Sequence, residues 1–260
     1  MKANAVAVLI VTTYIGYGLT AHASAPQPVF SPAQEARIGE IAAEYLVAHP
    51  EILVTVSNRL QEQQKARKQM KYALSVLENQ ASLLHDPDTP AFGPEKAKVA
   101  VIEFFDYQCV YCSRLAPGMA QVMKARPDVR YIFKEWPIFA SKWDASSSAA
   151  QYGIEAWKQK GTTGYMKYHN SLWSTRHIEG DLTAKDIEAA AEAAGMAELK
   201  PVDHTVVLEK NDTLARTLGL SGTPGLIVMP VNNPEPDAVT VFAGLASPQQ
   251  IISAIEKAQR

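Results

Sequence analysis

The feature that most constrains this chain is a run of strand-forming residues that leads directly into its only two cysteines. Residues 99–105 are apolar apart from one glutamate, as in a strand that is buried on both faces of a sheet. Residues 113–125 follow with the apolar spacing of an amphipathic helix. The sequence therefore predicts that Cys109 and Cys112 lie where a buried strand turns into a helix.

This position favours a reactive cysteine. The free N–H groups in the first turn of a helix point toward the preceding residue, and they stabilise the thiolate of Cys109 relative to its thiol. A Cys-x-x-Cys pair between a strand and a helix is typical of redox proteins. We expect Cys109 to attack a substrate sulfur and Cys112, one turn into the helix, to resolve the mixed disulfide.

Other uses of the cysteine pair have less support in the sequence. A zinc site needs two further ligands, and the six histidines show no Cys/His ligand spacing. A purely structural disulfide would close a loop of one helical turn, which removes little entropy from the unfolded chain. Binding of Cu(I) stays open, because thiolates are soft ligands that suit this ion. We predict no cofactor and no resident metal.

The segment EFFDYQCVYC with its following helix, together with GLSGTPGLIV farther along the chain, resembles the DsbA-like thiol:disulfide oxidoreductases of the thioredoxin superfamily. Within them, the chain is most similar to the suppressor-of-copper-sensitivity branch, whose members can carry an N-terminal oligomerisation stalk and act as disulfide isomerases. The resemblance covers about residues 93–260 and, more loosely, the segment before them. It implies an α/β fold, namely a thioredoxin fold with an inserted helical subdomain at about residues 140–219, preceded by an α-helical stalk. It also favours a trimer.

The resemblance adds three residues to the predicted site. In a thioredoxin-like fold the proline that matches Pro224 is cis and faces the cysteines, which leaves the N–H and C=O of Thr223 free to pair with an extended substrate chain. Glu103 occupies the position of an acidic residue that handles the proton of the buried cysteine, and burial would raise its pKa. The alternative for Glu103 is a structural pairing with a lysine such as Lys134.

The residues between the cysteines depart from the strongly oxidising DsbA enzymes. Those enzymes carry a histidine beside the second cysteine, whereas this chain has Tyr111, which offers a hydroxyl but no positive charge. We therefore expect the helix terminus to be the main stabiliser of the Cys109 thiolate. We do not expect extreme oxidising power.

Residues 1–23 have the features of a secretory signal peptide. They contain a lysine at position 2, an apolar run, and the small-x-small cleavage site Ala21-His22-Ala23. A membrane anchor is the alternative, but glycines and polar residues dilute the run, which is short for a span. Disulfides persist only in oxidising compartments, so cleavage and export to the bacterial periplasm fit the cysteine chemistry. A formal net charge of −2 gives no indication of nucleic acid as a partner.

Residues 24–85 are predicted to form a helical oligomerisation stalk and connector. One helix should begin at Pro32, with Ser31 as its N-cap, and a second near Pro50. Each carries an apolar face that must be buried somewhere. From residue 59 to residue 71 the chain is polar but helix-forming, which suggests a movable connector. An apolar spacing then returns at Met70, Leu74, Leu77, Ala81 and Leu84.

The proline-rich stretch from residue 86 to residue 94 is interpreted as the linker into a catalytic domain at 86–260. Two alternatives to the stalk stay open. The helices could fold back on their own catalytic domain, or residues 59–71 could be a solvated helix face.

The favoured function is a periplasmic thiol:disulfide oxidoreductase that acts as a disulfide isomerase, with dithiol oxidation as an accompanying activity. An oligomer that presents several active sites suits misfolded substrates and excludes a membrane oxidase. The expected partners are misfolded or reduced secreted proteins and a membrane thiol reductase or oxidase. A monomeric DsbA-like oxidase and a copper-binding protein are the alternatives.

Overall fold

The computed structural model describes residues 29–196 and 202–260. The sequence also predicts a helix that begins at Pro201. Pro201 and the predicted signal peptide lie outside the described residues. The chain divides into two compact units, Met1–Arg59 and Leu60–Arg260.

Two helices make up the described part of the first unit. Helix α1 spans Pro32–Ala48 and begins with a capping box, in which the Ser31 hydroxyl accepts a hydrogen bond from the Gln34 N–H. Helix α2 spans Glu51–Glu78, and its first turns belong to this unit. The predicted break at His49-Pro50 is therefore confirmed. Large apolar side chains of this unit are exposed, namely Ile38, Ile41, Tyr45, Leu53, Val54 and Val56.

The second unit is built on a five-stranded sheet in the order β1-β3-β2-β4-β5. The strands are β1 (Ala91–Phe92), β2 (Val99–Phe105), β3 (Arg130–Glu135), β4 (Gly225–Pro230) and β5 (Thr240–Ala243). Strand β2 is parallel to β3 and antiparallel to β4, and both edge strands are antiparallel to their neighbours. The helices are α3 (Gln80–Leu84), α4 (Val110–Ala125), α5 (Asp144–Thr175), α6 (Ala184–Ala193), α7 (Thr205–Thr217) and α8 (Pro248–Ala258).

The side chains of β2 alternate between two cores on opposite faces of the sheet. Val99, Val101 and Phe105 belong to the core that contains both cysteines. The alternate apolar residues of β2 belong to the other core, together with residues of α7 and the end of α2. By the same alternation Glu103 lies on the cysteine side of the sheet.

Three helices, α5 to α7, are inserted between β3 and β4. They form the helical insertion that was predicted at about residues 140–219. The sequence predicts two helices in this stretch, one from Asp144 through Gln159 and one that Thr162 caps. The backbone of α5 leaves helical geometry at Gly161, between these two predicted helices, where φ is 60°. Thr183 starts α6 with a capping box, and Gly195, with a φ of 82°, follows its end. The sequence predicts Thr183 as the cap of α6 and Gly195 as its terminator, because the signals for helix boundaries are local.

The domain boundary predicted at residue 86 needs correction. The compact second unit begins at Leu60, and the end of α2 and helix α3 contribute Tyr72, Val76 and Leu83 to its core. The apolar face predicted for this stretch was partly wrong. Met70 is 49% exposed and Leu74 is 48% exposed, because a neighbouring face of the helix is the one that packs on the sheet.

The stretch that was predicted to be a linker is held by a buried ion pair. The Asp86 carboxylate accepts hydrogen bonds from the Lys134 ammonium at 2.9 Å and from the Lys210 ammonium at 3.0 Å. The side chains of Asp86 and Lys134 are both completely buried. Lys134 also donates to the Thr89 hydroxyl at 2.6 Å. Residues 86–92 are therefore part of the second unit, which also contains the cysteines and is called the catalytic unit below.

Candidate active site

The cysteines lie at the beginning of α4, as the sequence predicts. Cys109 is the N-cap residue of this helix, Cys112 lies in its first turn, and both are buried free thiols. The Cys109 thiol donates a hydrogen bond to the carbonyl oxygen of Thr223 at 3.4 Å. The peptide bond between Thr223 and Pro224 is cis, which confirms that prediction. The structure therefore brings the start of β4 against the cysteine pair.

The two thiols have opposite pKa shifts. A hydrogen bond with Cys112 lowers the pKa of Cys109 to about 6, against the effect of burial, and the N–H groups of Cys112 and Tyr111 add to the lowering. Burial raises the pKa of Cys112 well above its usual range, and its contact with Cys109 raises it further. The N–H groups at the start of α4 therefore contribute to the stabilisation of the Cys109 thiolate, as expected, and the Cys112 thiol contributes as well.

Glu103 is a buried carboxyl on the same side of the sheet as the cysteines. Burial raises its pKa to about 8, and a charge on Glu103 would raise the pKa of Cys112 in turn. The alternative reading, a pairing with Lys134, is wrong. The strand register places Lys134 beside Phe104, so its side chain lies on the opposite face, where it pairs with Asp86.

A cavity of about 740 Å³ lies beside the helix that carries the cysteines. It runs between α4 and the second half of α5, and Glu103 is among its lining residues. The rest of the lining is largely apolar and includes Pro117, Met119, Met123, Phe133, Met166 and Trp173. The cavity thus combines an apolar wall with a buried carboxyl, as ligand sites in proteins often do.

From the sequence, Asp106 and Tyr107 in the turn between β2 and α4 are expected to flank the cysteines and shape the site, with no sharper role. The Asp106 carboxylate accepts hydrogen bonds from the N–H of Gln108 at 2.8 Å, the N–H of Phe139 at 2.9 Å and the hydroxyl of Ser146 at 2.8 Å. The Cys109 N–H donates to the Asp106 carbonyl at 3.0 Å. Asp106 therefore fixes the turn that presents the nucleophile.

A buried polar cluster behind this turn was also missed. The hydroxyls of Tyr107 and Tyr165 donate to Oε1 of Glu135 at 3.2 and 3.0 Å. Tyr107 also contacts Nδ1 of His169, and Trp173 donates to Nε2 of the same ring. Burial raises the pKa of Glu135 and lowers that of His169 to about 3. The available signal was Glu135 itself, a carboxyl at the end of strand β3.

Among residues 29–196 and 202–260, no group of three or more histidine, cysteine, aspartate or glutamate side chains is arranged to hold a metal ion. The helices in the described part of the chain fall short of a membrane span in length, in hydropathy or in both. None of them is both long enough and apolar enough to cross a membrane.

Two family models match the chain. The model described as thioredoxin matches residues 85–238, and the model described as the copper resistance protein ScsC N-terminal domain matches residues 34–67. This chain is an ScsC-type, DsbA-like member of the thioredoxin superfamily. The first match covers the sheet and the helical insertion, and the second covers α1 and the first half of α2.

Solved structures of similar proteins share this fold. BcfH of Salmonella enterica Typhimurium is 36% identical with a TM-score of 0.71, and the match covers 88% of this chain and 97% of that one. ScsC of Proteus mirabilis in a transitional conformation is 26% identical with a TM-score of 0.60, again over 88% and 97%. The catalytic domain of the same protein is 25% identical with a TM-score of 0.62, over 72% and 99%. The predicted thioredoxin fold with an N-terminal helical segment is confirmed.

A curated relative is much longer than this chain. Na(+)/H(+) antiporter NhaA 1 of Salinispora arenicola is 27% identical over 191 residues, which are 72% of this chain but 28% of the antiporter. The chain therefore spans less than a third of that protein. The transport activity in its name describes the longer protein.

Proposed function

We propose that this chain is a periplasmic thiol:disulfide oxidoreductase that acts as an oligomeric disulfide isomerase, with dithiol oxidation as an accompanying activity. The observation that carries the proposal is the opposite pKa shift of the two cysteines. Cys109, with a pKa of about 6, is a thiolate at neutral pH, whereas the buried Cys112 keeps its proton. A nucleophile that is ready to attack and a resolving thiol that is held back suit repeated exchange with a substrate.

The proposed reaction begins when the Cys109 thiolate attacks one sulfur of a substrate disulfide. A bond forms between Cys109 and that sulfur, and the other substrate sulfur leaves as a thiolate. In isomerisation this freed thiolate attacks a second substrate disulfide, and a substrate thiolate finally displaces Cys109. If the exchange stalls, Cys112 loses its proton and attacks Cys109, which releases the reduced substrate and leaves a Cys109–Cys112 disulfide.

Glu103 is the proposed acceptor of the Cys112 proton. It is buried on the cysteine side of the sheet, and its pKa of about 8 is suitable for proton exchange near neutral pH. For substrate binding we propose the backbone of Thr223 and the adjoining Pro224. The proximity of the Thr223 carbonyl to the Cys109 sulfur, at 3.4 Å, supports main-chain pairing between a substrate and this segment.

The exposed apolar face of the first unit supports the oligomer. Its side chains include Ile41, Leu53 and Val56, each more than half exposed, and the ScsC N-terminal model matches this region. The family resemblance favours a trimer. A periplasmic thioredoxin-like protein from Salmonella enterica serovar Typhimurium is 26% identical with a TM-score of 0.59, over 69% of this chain and 95% of that one, and it supports a periplasmic location. Cleavage at residue 23 is proposed from the small-x-small site Ala21-His22-Ala23. The proposed partners are misfolded or reduced secreted proteins and a membrane thiol reductase or oxidase.

Native mass measurement and refolding of scrambled ribonuclease test the proposal together. We expect the mature chain to be an oligomer that refolds the substrate, Cys109→Ala to abolish all exchange, and Cys112→Ala to accumulate mixed disulfides. Iodoacetamide should label Cys109 first, with a rate that rises through a midpoint near pH 6. A monomeric mature chain that oxidises dithiols but cannot refold scrambled ribonuclease would support the monomeric oxidase instead.

Copper binding is a second candidate, because the family model that matches residues 34–67 is described by copper resistance. The two active-site thiolates are soft ligands of the kind that bind Cu(I). Competition with a Cu(I)-specific chelator, on the wild type and on a variant with both cysteines changed to serine, tests this use. Binding that disappears with the cysteines would support it, and equal binding by the two proteins would contradict it.

A further inference from the structure

A chain of buried hydrogen bonds runs from the helical insertion to the turn before Cys109. The Trp173 indole can only donate, and it donates to Nε2 of His169 at 3.0 Å. Because His169 is neutral, its proton must lie on Nδ1, which donates to the Tyr107 oxygen at 3.0 Å. The Tyr107 hydroxyl then donates to Oε1 of Glu135 at 3.2 Å. The indole therefore fixes the direction of every bond in the chain.

These buried hydrogen-bonded groups cost folding free energy relative to an apolar core. Tyr107, His169 and Glu135 are all buried, and phenylalanine or leucine side chains could fill similar space without polar groups to satisfy. The second oxygen of Glu135, Oε2, has no hydrogen-bond partner among the described residues. Buried polar groups that cost stability are retained in some proteins because they select one geometry. The geometry at stake here is that of the turn before Cys109.

Tyr107 connects the buried hydrogen bonds to that turn. It lies in the turn between β2 and α4, two residues before Cys109. Its ring packs at an angle against Phe105 and Trp173, with centroids 5.1 and 5.0 Å away. Packing of this kind holds the ring, and the hydroxyl bond to Glu135 fixes how deeply the ring enters the core. The same turn determines how the sulfur of Cys109 meets the N–H groups of α4.

We propose that Glu135 and Tyr107 are positioning residues for thiol exchange: their hydrogen bond holds the turn so that the Cys109 thiolate faces the first turn of α4. The inference rests on the proposed thiol chemistry. A geometry that stabilises the thiolate also stabilises the reduced cysteine pair. Loss of the bond should therefore raise the pKa of Cys109 and make the pair easier to oxidise.

The fold provides a matched pair of variants for the test. Tyr107→Phe and Tyr165→Phe each remove one hydroxyl that donates to Oε1 of Glu135, and both tyrosines are buried. Only Tyr107 lies in the turn before Cys109. In the full mature chain, iodoacetamide rates across pH give the pKa of Cys109, and equilibration in glutathione buffers gives the redox equilibrium constant.

We expect Tyr107→Phe to lower the thiolate-to-thiol ratio of Cys109 by up to about tenfold and to shift the glutathione equilibrium by a similar factor toward the disulfide. Tyr165→Phe should change the thiolate-to-thiol ratio and the glutathione equilibrium by less than about twofold each. Its loss of folding stability should be similar to that of Tyr107→Phe, because each variant removes one hydrogen bond to Glu135. Equal shifts in both variants, or a shift in neither, would overturn the proposal.

Two changes at Glu135 separate position from charge. Glu135→Gln keeps an acceptor oxygen for Tyr107 and should behave like the wild type, whereas Glu135→Leu should behave like Tyr107→Phe. An equal effect of glutamine and leucine would mean that the carboxyl acts by its charge, and the positioning role would be overturned. If Glu135→Leu does not fold, the two tyrosine variants decide alone. A wild type that lacks isomerase activity would contradict the proposed function. The pKa and glutathione measurements would still test the positioning role, because neither depends on isomerase activity.

Discussion

In the first turns of α2, Leu53, Val54 and Val56 are each more than half exposed, whereas near its end Tyr72, Ala73 and Val76 are buried. Both stretches belong to one helix and both carry apolar side chains. The end of the helix packs in a core with residues of the sheet and α7, and the first turns bury no side chain. An apolar helix face that the chain itself covers belongs to the fold, and one that stays exposed indicates an interface.

Between these stretches the helix is polar, and its attachment to the sheet begins at Gln69, which already lies in the second unit. The Gln69 amide donates to the carbonyl of Val241 at 2.7 Å and accepts from the N–H of the same residue at 3.2 Å. After this point the Ser75 hydroxyl donates to the carbonyl of Thr217 at 2.9 Å, and Tyr72 and Val76 pack in a core with residues of the sheet. If the two halves of α2 differ in function as they differ in burial, changes in the first half should affect assembly and changes in the second half should affect folding.

Truncation should give the largest difference. A mature chain that lacks residues 24–59 should stay folded and monomeric and should keep dithiol oxidation, because the compact second unit begins at Leu60. A chain that lacks residues 24–84 should unfold, because it loses Tyr72, Val76 and Leu83 from the core, each worth roughly 1.5–3 kcal/mol. Circular dichroism, native mass and thiol oxidation assays distinguish the two proteins. A folded, stable product of the longer deletion would contradict the corrected boundary.

Loss of the buried ion pair should have the next largest effect, because Asp86 fixes the chain directly after α3. We expect Asp86→Asn to lower the free energy of unfolding by about 3–5 kcal/mol, since it leaves the Lys134 charge buried without its partner. The control is Asp88→Asn, whose partner Lys158 is 41% exposed, with a cost of about 0–1 kcal/mol. Urea denaturation measures both.

The ion pair also has a defined pH dependence. Its lysine partners lower the pKa of Asp86 to about 2 despite the opposing effect of burial. Because the folded pKa lies below the unfolded value of about 4, the stabilisation is present above pH ~4 and disappears as the pH falls toward 2. The stability difference between the wild type and Asp86→Asn should narrow over that interval. A difference that stays constant below pH 4 would contradict this assignment.

A pair of valine substitutions compares the two halves of α2 directly. Val76→Ala should reduce the free energy of unfolding by about 1.5–2 kcal/mol, because Val76 is completely buried. Val56→Ala should change the stability of the isolated chain by less than about 0.5 kcal/mol but should weaken assembly. Native mass over a dilution series measures assembly, and urea denaturation of the dissociated chain measures stability. If Val56→Ala assembles as well as the wild type, the exposed face is not the interface.

The smallest effect is expected at Gln69, where attachment begins. Gln69→Ala removes both hydrogen bonds to Val241 and should cost about 1 kcal/mol. Amide hydrogen exchange should become faster in the α2 residues that adjoin position 69. Gln64→Ala, in the polar run, is the control and should leave exchange unchanged. Equal exchange in both variants would place the start of the attachment elsewhere.

Local signals in the sequence predicted much of the catalytic unit. Strand β2, the start of α4 at Cys109 and the cap of α6 at Thr183 depend on residues that lie next to one another. The meeting of Cys109 with Thr223 spans 114 residues, and it was predictable only through the family resemblance.

Long-range partners explain what the sequence did not predict. Asp86 looked like part of a proline-rich linker because its partner lies 48 residues away in a strand. Strand β1 has two residues and exists because β3 lies beside it, so its own sequence carries no clear strand signal. The buried side of α2 was assigned partly to the wrong residues because apolar spacing alone does not say which face meets the sheet. Glu135 was missed because its tyrosine partners are distant in the chain.

The contact of Gln69 with β5 affects how the sheet edge can interact with unfolded client proteins. Strand β5 is at the edge of the sheet, and open sheet edges recruit extended chains and start aggregation. The proposed clients are unfolded polypeptides, in which unpaired extended segments are abundant. At Val241 the glutamine amide already occupies both backbone groups, as a neighbouring strand would. An extended client segment therefore cannot pair with the backbone of Val241 unless it displaces the Gln69 amide.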